Sequence, residues 1–307
     1  MLDLSALRTY SIHERESKVR VEDFAPTPAP LHGILERLPA ILAGNDLRTV
    51  VRAIAEARRR DRPVVLTMGA HVIKCGLARV VIELMRRGVI TALASNGATL
   101  IHDSEIALFG KTSENVEGSL GAGRFGWARE TAEFLNSAIA EGSGAGLGVA
   151  VGQALLRAEA PYRDASVLAQ AAALGIPFTI HAALGTDILH MHPGADGAAI
   201  GAGSLRDFRT LTEALSRLGD GGVLINFGSA VIIPEVVLKA FSVLRNLDVS
   251  LAGCVSVDVD MIRHYRGGKQ LVERIGGLGG RGYALTGHHE IMLPLIAGLV
   301  LAALEDA

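Results

Sequence analysis

The sequence predicts an α/β protein built on a doubly wound parallel sheet with helices on both faces. Residues 63–110 contain two apolar runs, and each run ends in a turn of small residues that leads directly into a helical pattern. Four further apolar runs alternate with helical periodicity along the rest of the chain, an order typical of parallel sheets with right-handed crossovers. With 307 residues, of which 49% are hydrophobic, the chain can bury a large core.

The first 30 residues are expected to form an arm, and residues 31–307 a single α/β domain. The arm is polar and closes with a proline-rich stretch at 26–30, so we expect it to lie on the body or on a neighbouring subunit. Helical periodicity follows over residues 31–60. It is interrupted near residues 44–46, where Asp46 is placed to cap a second helix.

Six strands and the helices between them are predicted in order along the rest of the chain. Helical patterns occupy 127–141, 163–174 and 205–218, another helix starts near Pro234, and an apolar helix at 291–304 closes the chain. Residues 111–126, rich in glycine and polar groups, are interpreted as an ordered loop acting as a lid or subunit contact, or alternatively as a capped helix start. The predicted strands are residues 64–67, 89–94, 176–180, 222–226, 249–257 and 283–285.

The turns that follow these strands form the predicted ligand site. The carboxyl ends of parallel strands meet at one edge of a sheet, where ligands bind. Glycines there let backbone N–H groups approach a ligand, and helix N-termini favour phosphate. The predicted cofactor-binding residues at these turns are Gly69, Ser95, Asn96, Gly97, Gly228, Ser229 and His288.

Polar side chains cluster beside the same turns. The densest cluster is Asp187, His190 and His192, and the alternation with apolar residues predicts an extended segment that places both histidines on one face. Such a set favours either acid–base catalysis or, with the aspartate, metal binding. The predicted substrate-binding residues, which come directly after strand ends, are His102, Asp103, Glu105, His181 and Glu290.

The charge and the apolar runs of the sequence argue against nucleic acid and membrane as partners. The net charge is −2 and the basic residues are scattered, so the chain has no electrostatic footprint for nucleic acid, and a small molecule is the expected partner. The longest apolar run, 291–304, is too short for a membrane span and contains Pro294. Cys75 and Cys254 lack metal-ligand spacing and read as buried thiols. With no export signal at the N-terminus, we expect a cytoplasmic protein.

The order of these pieces resembles the deoxyhypusine synthase family over roughly residues 63–307. The similar features are the first strand and turn before residues 75–77, the second turn at 95–97 followed by an acidic helix start, the stretch from Ile176-Pro177 to Gly185-Thr186-Asp187, the strand end at 228–229, and Tyr283 followed by 293–295. The resemblance implies a Rossmann-like sheet of the type shared with sirtuins, NAD bound across the strand ends, and a homotetramer. Asp187 corresponds to the family's amine-binding aspartate, and Asp103 falls near its acidic pair. Near its NAD-contacting turns fall Gly69, Asn96, Gly97, Gly228 and His288.

Two departures separate this chain from the family's reaction. The family forms an imine on the lysine of a Ser-Trp-Gly-Lys stretch, whereas this region reads Gly267-Gly268-Lys269 without a tryptophan. The family's Lys-His-His is replaced by Ile232-Ile233-Pro234, which removes a catalytic histidine. Without the amine nucleophile, aminobutyl transfer loses its central step.

The sequence therefore predicts an NAD-binding enzyme of transferase or oxidoreductase type that acts on a small amine or other polar substrate and does not make deoxyhypusine. Asp187 and His192, with His190 nearby, are expected to position and deprotonate the substrate, while Asp103 or Glu105 holds a cationic group. One alternative is a metal-dependent hydrolase or lyase using the His/Asp cluster, including His288. The other is a non-catalytic binding or scaffold protein that keeps the fold.

Overall fold

A computed structural model describes residues 7–306, and its centre is a six-stranded parallel sheet. The strands are β1 (Ser17–Arg20), β2 (Val64–Met68), β3 (Ala92–Asn96), β4 (Lys111–Glu114), β5 (Phe178–His181), β6 (Val223–Phe227), β7 (Val255–Asp260) and β8 (Arg281–Thr286). The helices are α1 (Ile34–Arg37), α2 (Leu42–Arg59), α3 (His71–Lys74), α4 (Ala78–Arg86), α5 (Gly97–Phe109), α6 (Val116–Leu120), α7 (Arg129–Gly142), α8 (Leu147–Arg157), α9 (Val167–Leu174), α10 (Gly197–Leu215), α11 (Ile232–Asn246), α12 (Arg274–Gly276) and α13 (His289–Glu305). Short 3₁₀ turns and one π-helical turn, Gly267–Glu273, complete the chain.

The strand order confirms the doubly wound, Rossmann-like sheet that the sequence predicts. In the sheet the strands stand in the order β5-β3-β2-β6-β7-β8, and every neighbouring pair is parallel. The chain enters at the centre on β2, moves outward through β3 to β5, returns to β6 beside β2, and moves outward again to β8. The direction of winding reverses between β2 and β6, and such a switch point opens a crevice beyond the strand ends.

Helices cover both faces of the sheet because the strands are apolar on both sides. All five residues of β2 and of β6 are buried, as a parallel sheet in the middle of a layered fold requires. One core cluster lies under α2, α4, α5, α8, α9 and α13, and a second lies under α10, α11 and α12. Among the helices of residues 7–306, none combines the length and apolar character that a bilayer span requires.

Several predicted boundaries are wrong. Helix α10 begins at Gly197 and not at residue 205, and β3 begins at Ala92 and not at residue 89. Two others are wrong for local reasons. Helix α2 runs through residues 44–46 without a break, because the chain turns earlier, at Pro39, and packs so closely there that a Cβ on Gly44 would lie 2.4 Å from the Pro39 carbonyl oxygen. Strand β7 begins at Val255 and not at residue 249. Residues 249–254 form turns in which Gly253 has φ +80°, so Cys254 lies just before the strand.

The N-terminal segment packs on the body of the same chain. Strand β1 pairs antiparallel with β4, which lies within the stretch predicted to be a loop, and α6 follows directly. Arg15 donates two hydrogen bonds of 2.8 Å to Glu105 of α5, and both side chains are buried. The segment therefore packs against the second half of α5.

Candidate functional site

The crevice at the switch point is built from two glycine turns in direct contact. The Gly69 N–H donates to the Phe227 carbonyl at 3.0 Å, and a Cβ on Gly69 would lie 2.5 Å from the Gly228 carbonyl oxygen. Gly228 has φ +67°, and a Cβ there would lie 2.2 Å from the His289 ring. Packing of the chain against itself therefore requires both glycines, which form the floor of the crevice.

Buried polar side chains hold these turns in place, and sequence reasoning passed over them. Asn226 is fully buried and donates to the Ser229 carbonyl at 3.0 Å and to Asp258 at 2.7 Å, while its oxygen accepts from Thr67 at 3.1 Å. The network joins β2, β6 and β7 below the crevice. The signal available in the sequence was polar residues inside otherwise apolar strands.

The second predicted turn is in contact with the carboxylate of Asp187. Gly97 begins α5, and a Cβ on it would lie 2.0 Å from Oδ2 of Asp187. Asp187 is 7% exposed, and its Oδ2 has no hydrogen-bond partner in the described chain. Burial raises the pKa of Asp187 to about 6. A buried carboxylate with a free oxygen is a site for a charged donor.

Asp187 and His102 line one cavity of about 190 Å³. The Thr112 hydroxyl donates to Glu105 at 2.6 Å, so it accepts from Nδ1–H of His102 at 2.8 Å. This assigns the tautomer whose Nε2 carries the lone pair. Burial lowers the pKa of His102 to about 4, so the ring is a neutral acceptor at pH 7. The charged residues of the lining are Arg15, Lys74, Glu105, Glu114 and Asp187, three carboxylates against two cations.

The remaining acidic candidates near α5 are engaged by the protein itself, which corrects the expected substrate role of both. Asp103 is fully buried and accepts from Val167 N at 2.8 Å and Leu168 N at 2.9 Å, so it caps α9. Glu105 accepts two hydrogen bonds from Arg15 and one each from Thr112 and Thr131. These bonds occupy the acceptor positions of a carboxylate.

Two hydroxyls predicted to bind cofactor are also engaged internally. Ser95 is fully buried and donates to the Met68 carbonyl at 2.7 Å. Ser229 is 5% exposed, and its oxygen accepts from Ile233 N at 3.3 Å. Asn96 stands at the end of β3 as the N-cap residue of α5. The hydroxyl groups of both serines are therefore engaged within the fold.

His190 and His192 do not share a face, which corrects the extended-segment prediction. Residues Ile188–Met191 form a 3₁₀ turn. Nδ1 of His190 accepts from Gly185 N at 3.2 Å and turns back onto its own loop. Nε2 of His192 lies 2.9 Å from the Gly126 carbonyl, and its ring packs on Trp127 at 4.8 Å. His192 lines a different cavity, which has no lining residue in common with that of Asp187.

On the β7–β8 side, the buried histidine is His289 and not the predicted His288. The side chain of His288 is 65% exposed, and that of Glu290 is 51% exposed. His289 is 1% exposed, its Nε2 lies 3.4 Å from Asp260 Oδ1, and its ring meets that of His71 at 5.3 Å. Burial lowers the pKa of His289, so it sits as a neutral ring against the Gly228 turn.

His181, another predicted substrate-binding residue, does not line the cavity of Asp187. His181, at the end of β5, pairs in register with Asn96 and lines a separate cleft of about 500 Å³. In the described part of the chain, no three His, Cys, Asp or Glu side chains are arranged to hold a metal ion. The structure thus brings Asp187, Gly97 and His102 together and leaves His192 and His288 apart from them.

Comparison with solved structures finds proteins of similar fold at low sequence identity. AgrE, in a ternary complex with ornithine and NAD⁺, superimposes with a TM-score of 0.53 at 17% identity over 85% of this chain and 34% of its own. A protein described as a conserved LOR/SDH protein from Methanococcus maripaludis S2 has a TM-score of 0.52 at 15% identity, over 90% of this chain and 74% of its own. At these identities the likeness establishes the fold.

A protein described as a deoxyhypusine synthase is also among the structural matches. The protein described as such, from Entamoeba histolytica, has a TM-score of 0.49 at 11% identity over 83% of this chain. The chain spans about a third of AgrE and of ArgZ, an arginine dihydrolase from cyanobacteria with a TM-score of 0.51. No family model matches the sequence, and no curated protein matches it significantly.

Proposed function

We propose that this protein is an enzyme that binds NAD across the strand-end crevice and acts on a small amine-bearing cation held by Asp187. The observation that carries the proposal is the buried Asp187 carboxylate, whose Oδ2 has no partner among residues 7–306 and which lines a cavity of about 190 Å³. A protonated amine supplies both the charge and the N–H donor that this oxygen lacks. The excess of carboxylates in the lining favours a cation over an anion.

The pyrophosphate of a dinucleotide fits the turns after β2 and β6 better than the start of α5. At the switch point the Gly69 and Gly228 turns meet backbone to backbone beyond the ends of β2 and β6, where the phosphates of dinucleotides lie in doubly wound folds. At the start of α5 the Asp187 carboxylate already lies on Gly97 and would repel a phosphate there. We therefore assign the pyrophosphate to the turns after β2 and β6, and the amine to the start of α5.

The chain's own residues would bind and deprotonate the substrate. Asp187 holds the ammonium group, and Nε2 of His102, a neutral acceptor in the same cavity, is placed to take a proton. NAD, when bound, supplies a hydride acceptor. AgrE, which shares the fold, was crystallised with ornithine and NAD⁺, and this supports both ligand classes. The catalytic groups that we propose are thus Asp187 and His102. His192 is not among them, because it lines a different cavity.

Calorimetric titration of the full chain with NAD, and then with 1,4-diaminobutane or ornithine in the presence of NAD, tests the proposal. We expect saturable binding of both, and a loss of amine affinity of at least about tenfold in Asp187→Asn, since a charged hydrogen bond contributes about 1.5–3 kcal/mol. The matched control is Asp61→Asn, because the Asp61 side chain is 98% exposed and precedes β2 at the opposite edge of the sheet. Equal amine affinity in Asp187→Asn and the parent protein would overturn the assignment.

Turnover separates the enzyme from the scaffold alternative. An enzyme of this kind produces NADH with the right amine, whereas a scaffold protein binds both ligands without reduction. His102→Asn keeps an amide N–H donor at the Nδ1 position toward Thr112 and removes the proton acceptor, so we expect NADH formation to fall about 10²–10⁴-fold while NAD affinity is unchanged. Full activity in that variant would remove His102 from the mechanism.

A further inference from the structure

The cleft at the end of β5 has no role in the proposed amine site. It has a volume of about 500 Å³ and lies between α10, α11 and the segment that follows β5. It shares no lining residue with the cavity of Asp187. It opens on the same edge of the sheet, since His181 pairs with Asn96 and Val231 stands three residues after Gly228. A ligand crossing the switch point would reach it.

The walls of this cleft are apolar and partly open. Ile200, Leu205 and Phe208 line it from α10, and Val231 and Val236 line it from the side of α11. Leu205 is 53% exposed and Val231 is 45% exposed, which is unusual for side chains of this size that face each other across a groove. A flat apolar ring inserted between them would remove both from water.

Two polar groups stand side by side at the bottom of the cleft. The Thr179 hydroxyl donates to the Leu93 carbonyl at 3.2 Å, so it accepts from Nε2–H of His181 at 3.1 Å, and the lone pair of His181 lies on Nδ1. The oxygen of Ser204 accepts from Ala182 N at 3.0 Å, which leaves its hydrogen free to donate. The cleft therefore offers one acceptor and one donor on neighbouring residues.

We propose that this cleft binds the adenine ring of an adenine nucleotide. The exocyclic amine donates to Nδ1 of His181, an adjacent ring nitrogen accepts from the Ser204 hydroxyl, and the ring lies between the walls of α10 and α11. Burial lowers the pKa of His181 to about 4, so the acceptor is neutral over the physiological range. The inference rests on the proposed function where the nucleotide is NAD, and free AMP offers the same chemistry.

A carboxylate at the rim fits the sugar that follows the base. Glu235 lines the cleft from α11 and is held by Lys239 and by Arg266 at 3.1 Å. Acidic residues accept hydrogen bonds from the ribose hydroxyls in many dinucleotide sites. The nucleotide would then run from the cleft over Val231 to the Gly69–Gly228 floor, which places its phosphates where the proposed function needs them.

Filling the cleft tests the inference without touching the amine site. Gly201 lines the cleft from α10, and a Cβ on it meets open space, so Gly201→Phe projects into the cavity without a clash. Gly197→Phe is the matched control, because Gly197 also meets open space and starts the same helix but does not line the cleft. We expect titration with AMP and with NAD to show at least about tenfold weaker binding in Gly201→Phe and no change in Gly197→Phe.

The choice of nucleotide distinguishes this inference from the proposed function. IMP carries an oxygen where AMP carries the amine, so we expect it to bind at least about tenfold more weakly, as the lone pairs of that oxygen and of His181 would face each other. If the parent chain binds AMP but does not bind NAD, the proposed function is contradicted, whereas the assignment of the cleft to adenine still holds. Binding of NAD that is equal in Gly201→Phe and the parent chain, or no binding of AMP to the parent chain, would overturn the inference.

Discussion

Chemically identical side chains take different roles in this chain according to which oxygens the fold engages. Asp103 and Asp187 both follow strand ends and both are buried, and burial raises the pKa of each to about 6. The carboxylate oxygens of Asp103 accept hydrogen bonds from the first N–H groups of α9, whereas Oδ2 of Asp187 has no partner in the described chain. Sequence spacing treats the two alike, because a capping partner 64 residues away is invisible to local pattern.

The raised pKa of Asp187 predicts how amine binding depends on pH. The group must be ionised to hold a cation, and its pKa of about 6 in the free protein means that it becomes protonated as the pH falls through that value. Amine affinity is therefore expected to be nearly constant above pH 7 and to fall by up to about tenfold per unit below pH 6. Nearby, His102, with a pKa of about 4, stays neutral over this range.

Titrations of 1,4-diaminobutane at several values between pH 5 and pH 8 measure this dependence, since the amine itself stays charged throughout. Asp187→Asn should bind weakly and show no slope over the same interval. A slope that persists unchanged in Asp187→Asn would assign the titration to another group and contradict the prediction.

Among the secondary-structure elements, the link between the N-terminal segment and α5 depends on one buried ion pair. Arg15 and Glu105 are each less than a tenth exposed, and Glu105 also accepts from Thr112 of β4 and Thr131 of α7. Glu105→Gln leaves the Arg15 charge buried without its partner. We expect a loss of about 3–5 kcal/mol in the free energy of unfolding, because removing one partner of a buried pair strands the other.

Urea unfolding followed by circular dichroism measures this loss, and an exposed pair supplies its control. Glu273→Gln breaks the contact between Lys269 and Glu273, whose side chains are 40% and 62% exposed. A change below about 1 kcal/mol is expected there. Equal effects of the two substitutions would show that the Arg15–Glu105 pair is not what fastens the segment.

The elements that the sequence predicted well are those whose signal is local. The six strands of the central sheet are short apolar runs bounded by turns, and all six were found, with β7 starting late because its apolar lead-in is a turn. Strands β1 and β4 were missed because they are polar, and their pairing joins residues about 95 positions apart. The grouping of Gly97, Asp187 and His102 was predicted in part, because the ends of strands in a parallel sheet converge. The hydrogen bonds of Glu105 and the orientation of His192 were not predicted, because they depend on side-chain contacts between distant segments.

At the scale of the whole molecule, the two halves of the sheet pair along β2 and β6, and just beyond the carboxyl ends of these strands two glycines are in contact. Gly69 follows the first strand of one half and Gly228 follows the first strand of the other, and no Cβ fits between them, since one on Gly69 would lie 2.5 Å from a backbone oxygen. Backbone cannot rotate away as a side chain would, so any side chain at residue 69 has to push β2 and β6 apart at their ends. Both the stability of the sheet and the shape of the crevice depend on that contact.

Gly69→Ala is therefore expected to lower the free energy of unfolding by about 1–3 kcal/mol, the usual cost of overpacking a buried position, and to weaken NAD binding at the same time. Gly268→Ala is the control, because a Cβ there meets open space and an alanine relieves the entropy cost of glycine. Unfolding in urea and titration with NAD on the same preparations separate the two effects. Reduced stability with unchanged NAD affinity would place the dinucleotide away from the switch point, because a floor that has moved cannot leave the phosphate contacts of that crevice intact.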